Sequence, residues 1–241
     1  MKSKITNRQV TWIAILSAGL IAIGAVIYIY GSKSNAESYM PFLKYSNWTK
    51  IRNQLNNLNL DFEKVSNPSK LPNQWFQWGH PSFVLSTDSQ QRHSGKYSVR
   101  IEPGPNAQPG EFGCVARSIP VAFRGKNVTV KAFIKVKNND QPIGLLARID
   151  ANGKTTAFDN MMQKDIKGTG EWQEYSVTIP LPTESETIYI GAIFKGVGCL
   201  WVDDFQVLID GKDISQVKIK NRNKTPKNVR HDNAMVKQSN L

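Results

Sequence analysis

The chain has 241 residues with 17 Gly, 12 Pro and a formal net charge of +12. That length holds one domain of about 150 residues plus appendages, and the Gly and Pro content suits strands and turns better than a helical bundle. Residues 2–8 supply three of the positive charges and residues 211–241 a net six, so the middle of the chain keeps three of the twelve. Charge concentrated in the ends belongs to tails, and a nucleic-acid-binding face on the domain is not supported.

Val10 to Tyr30 is a run of 21 residues without a charge. As a helix rising about 1.5 Å per residue it is long enough to cross a bilayer. Lys2, Lys4 and Arg8 precede it, which makes residues 1–9 a cytoplasmic stub and places everything after residue 30 outside. The expectation is a single-pass anchor in the cytoplasmic membrane. Ser34-Asn35-Ala36 keeps a cleaved signal peptide as the alternative, although the apolar run exceeds the usual length for one. Either way the domain is exported. Residues 31–58 read as a polar juxtamembrane spacer with Tyr39, Phe42, Tyr45 and Trp48, and with room for a short helix around Trp48 to Asn57.

From Asn59 onward short alternating runs are separated by Gly, Pro, Asn and Asp, the pattern of an all-β sandwich. The expected strands are 60–64, 82–87, 97–102, 113–122, 127–136, 143–150, 174–179, 188–194 and 200–209. Asn152-Gly153 is a tight hairpin signal. In the last strand Trp201, Phe205, Val207 and Ile209 share one face, and Asp203 falls on that same apolar side. A carboxylate facing a core has to be paired, hydrogen-bonded or bound to a metal. After Ile214 the chain turns polar and basic, so residues 215–241 read as a disordered tail and the domain as residues 59–214.

Asn59-Leu-Asp-Phe-Glu63, Leu71-Pro-Asn-Gln-Trp75, His93-Ser-Gly-Lys-Tyr-Ser-Val-Arg-Ile101, Trp172-Gln-Glu-Tyr-Ser-Val-Thr-Ile-Pro180 and Leu200-Trp-Val-Asp-Asp-Phe-Gln-Val-Leu208 follow one another in this order. Together they resemble the landmarks of galactose-binding-like jelly rolls, the sandwiches used by many carbohydrate-binding modules. Phe158-Asp-Asn-Met161 and Gly168-Thr-Gly-Glu-Trp172 are similar to a subgroup attached as accessory domains to bacterial peptidases and surface proteins. The resemblance implies a structural calcium held by Glu63, by backbone oxygens of Ser94 or Lys96, and by Asp203 or Asp204. Oxygen ligands of this kind suit Ca²⁺, and the alternative is that Asp203 accepts hydrogen bonds from backbone amides or pairs with a nearby Lys or Arg.

Cys114 and Cys199 are the only cysteines. In an exported domain they are expected to form a disulfide, closing a loop of about 85 residues at roughly 4 kcal/mol of restricted unfolded-chain entropy; two buried thiols are the alternative. For ligand contact, aromatic rings pack on the apolar face of a pyranose while amides and guanidinium groups take its hydroxyls. Trp172 and Trp201 fall at core positions, whereas Trp75 and Trp78 flank a loop. Arg148 and Tyr189 alternate away from the apolar face of their strands. With Arg117 and the loop residue Asn160 they join Trp78 as the candidate ligand contacts. His80, His93 and His231 have no metal-ligand or triad spacing, and Glu184 with Glu186 and Asp159 with Asp165 lack the setting of a glycosidase pair. The sequence therefore reads as a non-catalytic module that binds a glycan or another envelope component, or else as a structural module that docks a partner protein. It implies no cofactor beyond the calcium, and leaves the oligomeric state open.

Overall fold

The computed structural model describes residues 49–219. The apolar run at 10–30, most of the spacer and residues 220–241 lie outside the described residues. Among those described, no helix is long and apolar enough to cross a membrane. Among the described residues, 52–219 form one compact unit, and after a short helix ending at Leu55 that unit is built mainly of strands.

The strands in chain order are β1 (Phe76–Gly79), β2 (Phe83–Asp88), β3 (Ser98–Pro103), β4 (Gly113–Pro120), β5 (Asn127–Ala151), β6 (Lys154–Asp159), β7 (Ile166–Pro180), β8 (Thr187–Phe194), β9 (Cys199–Ile209) and β10 (Lys212–Asp213). All pairings are antiparallel. A front sheet runs β6-β5-β8-β4-β1. A back sheet runs β7-β5-β9-β3-β2, with the short β10 on the end of β9. This is a jelly-roll sandwich.

β5 belongs to both sheets. Its first half, expected as a separate strand, pairs with β9 and β7; its second half pairs with β8 and β6. Between them the register against β7 slips repeatedly and Asn138 takes a φ of 53°. The polar stretch Asn138-Asn139-Asp140-Gln141 thus bends a strand where the sequence suggested a loop. The Asn152-Gly153 turn closes the β5-β6 hairpin, with both residues at positive φ, as a two-residue primed turn requires.

The inner faces supply the core. Val115, Ile119, Leu145, Ala147, Ile149, Ile188, Ile190 and Ala192 of the front sheet meet Val99, Ile101, Val128, Val130, Ala132, Val202 and Val207 of the back, all fully buried. Residues 60–64 are not a strand, because Asn59 and Phe62 sit at φ of 53° and 60° and break the extended backbone. Instead this segment caps the sandwich. Phe62 is completely buried with its ring 4.7 Å from Trp75 and 5.8 Å from Phe205. Trp75 Nε1 donates to the Asn59 carbonyl at 2.8 Å, and the Phe205 amide to Leu60 at 2.9 Å. At the other terminus, Val217 is buried and Phe123 bridges to Ile219. Packing therefore continues past Ile214, and residues 215–219 are part of the domain, not of the expected tail.

The expected disulfide is absent: Cys114 and Cys199 are both free and buried. Cys114 lies on the outer face of the front sheet, packed with Ala116, Leu146 and Ile193, whereas Cys199 opens β9 in the back sheet opposite Lys137. The sandwich stands between them. Burial pushes the Cys114 thiol up to about 12, so it behaves as a small apolar side chain. Alkylation of the denatured, non-reduced protein is expected to label both cysteines by mass, with the same Tm in the presence and absence of reductant. Phe62→Ala, which empties the cap, is expected to cost about 3–5 kcal/mol in urea denaturation.

Candidate functional site

The outer face of the front sheet carries an apolar floor, which is unusual for a surface. Cys114, Ala116, Leu146 and Ile193 point away from the core yet are buried, because Trp78, Phe112 and Met162 pack over them. Strand register explains the assembly. Trp78 lies opposite Cys114, and Cys114 opposite Ile193, which in turn faces Gly144. Four residues along the strands, Arg148 lies between Tyr189 and Phe158. A Cβ on Gly144 would meet the Asn160 carbonyl at 2.6 Å and the Met161 Cβ at 2.7 Å. Glycine at 144 is what lets the 160–161 turn lie close over the sheet. That turn is held by Asp159 Oδ1 accepting from the Met161 amide at 2.7 Å and by Asn160 Oδ1 accepting from the Met162 amide at 3.3 Å.

The result is a cleft of about 300 Å³, with Trp78 and Phe112 on one side, Phe158 and Asn160 on the other, and Lys195 at one end. Its aromatic wall is braced from below. The rings of Trp78 and Tyr189 are 5.2 Å apart, and the Arg148 guanidinium sits 5.3 Å from the first and 5.8 Å from the second. Arg148 is itself fixed by a fork to Asp150, Nε to Oδ1 at 2.7 Å and Nη2 to Oδ2 at 2.8 Å. The bond to Arg148 holds the Asp150 carboxyl below its ordinary value, and the bond to Asp150 holds Arg148 above its own. Phe158, by contrast, is 54% exposed, an uncovered ring at the rim.

A family model described as a carbohydrate binding domain matches residues 56–192. The chain belongs to that family. Among curated proteins, this carbohydrate-binding domain is 30% identical over 127 residues to an uncharacterised HTH-type transcriptional regulator, YbfP, of Bacillus subtilis (strain 168); the match takes in 52% of the chain and 43% of the regulator. The chain therefore spans less than half the length of that relative. Among solved structures it is similar to TmCBM61, solved in complex with β-1,4-galactotriose, at 14% identity and a TM-score of 0.41 over 63% of this chain and 95% of the other. It is also similar to the C-terminal family 22 carbohydrate binding module of Clostridium thermocellum Xyn10B, at 12% identity and a TM-score of 0.45 over 63% of this chain and 91% of that one.

Of the residues singled out from the sequence, the fold brings Trp78, Arg148, Asn160 and Tyr189 of the carbohydrate-binding domain together on one face. Arg117 is not among them. It alternates with Ala116 onto the inner face of β4, is 4% exposed, and its Nη1 donates to the Gln74 carbonyl at 2.7 Å while Nε has no partner. Burial lowers it to about 10. Trp75 is likewise core. Phe158, Phe112 and Lys195 were missed. Phe158 shares its two-residue register with Asn160, a signal that was present, whereas Phe112 and Lys195 stand at strand ends where alternation gives no face.

Glu63, Ser94, Lys96, Asp203 and Asp204 do converge, but as a hydrogen-bonded clasp that does not fit a calcium ion. Glu63 Oε1 accepts from the Lys96 and Tyr97 amides at 2.7 and 3.1 Å. Asp203 accepts from the His93 and Ser94 amides on Oδ2 and from the Asp204 amide on Oδ1. The 93–97 turn presents N–H groups to these carboxylates, whose charge is thereby already met by hydrogen-bond donors where a cation would sit. A Cβ on Gly95 would collide with Glu63 Oε1, so the carboxylate packs directly on the Gly95 backbone. Asp204 completes the clasp, accepting from Ser94 Oγ at 2.9 Å and meeting His93 Nδ1 at 2.6 Å, with the His93 ring stacked on Phe133. Among the described residues no group of three or more His, Cys, Asp or Glu is placed to hold a metal ion.

Asp203 is fully buried, and burial followed by the Asp204 charge raises it to about 7. In the unfolded chain it titrates near about 3.9. The folded state thus holds this proton more tightly, and the resulting stabilisation is complete below about pH 4 and lost as the pH rises through about 7. The stability of the protein relative to Asp203→Asn is expected to be greater at about pH 5 than at about pH 8. Urea denaturation of both proteins across that range checks the sign.

Proposed function

We propose that this carbohydrate-binding domain uses the front-sheet cleft to bind a glycan without transforming it, outside the membrane to which residues 10–30 anchor it. The observation that carries the reading is the pairing of exposed and fixed aromatic rings, Phe158 and Trp78, across an apolar floor beside hydrogen-bonding groups. A sugar ring stacks its C–H face on such rings and presents its hydroxyls sideways, where Asn160 and Arg148 stand. The Arg148–Asp150 fork and the Tyr189 ring keep Trp78 in place before a ligand arrives, and a pre-organised wall loses less entropy on binding. The family match supports the ligand class, and the uncharged 21-residue run after Lys2, Lys4 and Arg8 supports the anchor.

A glycan array probed with the full chain, followed by isothermal titration of the hits, tests the binding. Trp78→Ala and Phe158→Ala are each expected to weaken the hit at least about tenfold, which is about 1.4 kcal/mol, with the Tm of Phe158→Ala unchanged. Unaltered affinity in both variants would move the ligand off this cleft. A blank array from folded protein would favour the docking of a partner protein. Extraction of the expressed chain from membranes by detergent but not by alkaline carbonate, with the domain open to added protease in intact cells, is the result expected of the anchor.

A further inference from the structure

We infer that the ligand of the cleft is an acidic glycan, and that Lys195 receives its anionic group. This rests on the reading that the cleft binds a glycan and adds the chemical class of that glycan. The polar groups lining the cleft are one-sided. Arg148 spends Nε and Nη2 on Asp150 and keeps Nη1 to offer. Asn160 gives one lone pair of its oxygen to the Met162 amide and keeps its N–H groups. Lys195, half-buried at the cleft end, has no carboxylate partner among the described residues. The Cys114 thiol donates to the Val115 carbonyl. No Asp or Glu lines the cleft.

Side-chain donors therefore outnumber side-chain acceptors, and none of the lining acceptors is charged. A neutral sugar matches this less well than an anion does, since each hydroxyl donates as well as accepts and leaves Lys195 without a counter-charge. Covering Lys195 with a neutral ring would also strip water from an unpaired ammonium, which is costly. A carboxylate or phosphate removes both problems, because it only accepts and carries the opposite charge. Arg148 does not serve this role alone, as Asp150 already neutralises it. The net charge of the cleft is that of Lys195.

The test is isothermal titration of the full chain with oligogalacturonate, with the same oligomer after reduction of its carboxyl groups to alcohols, and with poly(glycerol phosphate). The acidic oligomer is expected to bind at least about tenfold more tightly than its reduced form. Lys195→Met is expected to bring the two within about twofold of each other, Lys195→Arg to retain the preference, and added salt at about 0.5 M to diminish it. Tighter binding of poly(glycerol phosphate), lost in Lys195→Met, would also support the inference and make the anion a phosphate. Equal binding of the acidic and reduced oligomers, or a preference that survives Lys195→Met, overturns it while leaving glycan binding in place. Failure of a folded protein to bind these probes or any glycan on the array overturns the glycan reading itself.

Discussion

The architecture depends on one strand serving two sheets. β5 runs for 25 residues and supplies hydrogen-bonding edges to β9 and β7 at its start and to β8 and β6 at its end. A strand cannot do this without changing direction, and the change occurs at Asn138 to Gln141, where the ladder is interrupted and the side chains are polar. Around that bend the backbone is close-fitting. Gly198 has the Lys137 carbonyl where a Cβ would be, at 2.1 Å, and Asp140 accepts from the Val197 amide at 3.1 Å. The β8-β9 turn is thereby tied to the middle of β5, and Lys195, which leads into that turn, is carried to the end of the cleft.

Because β5 fixes how the front sheet continues from the back one, it also fixes the cleft floor. Arg148 sits near its end, after the bend, between Tyr189 on one neighbour and Phe158 on the other. The floor is apolar on both faces of the sheet, which requires a cover on the outer side. Trp78, Phe112 and Met162 provide it and in doing so form the walls. Hydrophobic burial and ligand geometry are thus the same set of contacts in this region. The cleft has rigid sides because the rings that line it are holding sheet residues out of water.

The Asp203 clasp has a different character. β9 bulges there: Asp204 takes a φ of 50°, and the pairing with β5 slips between Lys131 and Phe133. Before the bulge Leu200 and Val202 face inward, and after it Phe205, Val207 and Ile209 do. A bulge adds one residue to one strand and swaps which alternate set is buried. The sequence pattern, read as an unbroken strand, put Trp201 and Phe205 on one face. In the fold Trp201 is on the outside of the back sheet, buried under Arg100 and bonded to Asp88. The buried carboxylate at the slip accepts from the His93 and Ser94 amides on one oxygen and from the Asp204 amide on the other.

Alternation of apolar and polar residues was sufficient to mark most strands, the all-β class and the outward setting of Arg148 and Tyr189, since those depend only on the two-residue period of a strand. The Asn152-Gly153 hairpin was legible for a similarly local reason, as few residues tolerate positive φ at both turn positions. What the sequence could not show was set by contacts distant along the chain. Phe76 to Gly79 is a strand because β4 offers an edge, Phe62 is core because Trp75 and Phe205 surround it, and Arg117 turned inward although its charge argued for the surface. The two cysteines remain thiols because the sandwich separates them. The Ser94-Gly95-Lys96 turn and the carboxylates of the clasp were visible as a set, but that the carboxylates meet N–H groups depended on the backbone orientation of that one turn. Local periodicity is written in the chain, whereas the pairing of edges, the position of a bulge and the direction of an amide are decided only when the sheets close on each other.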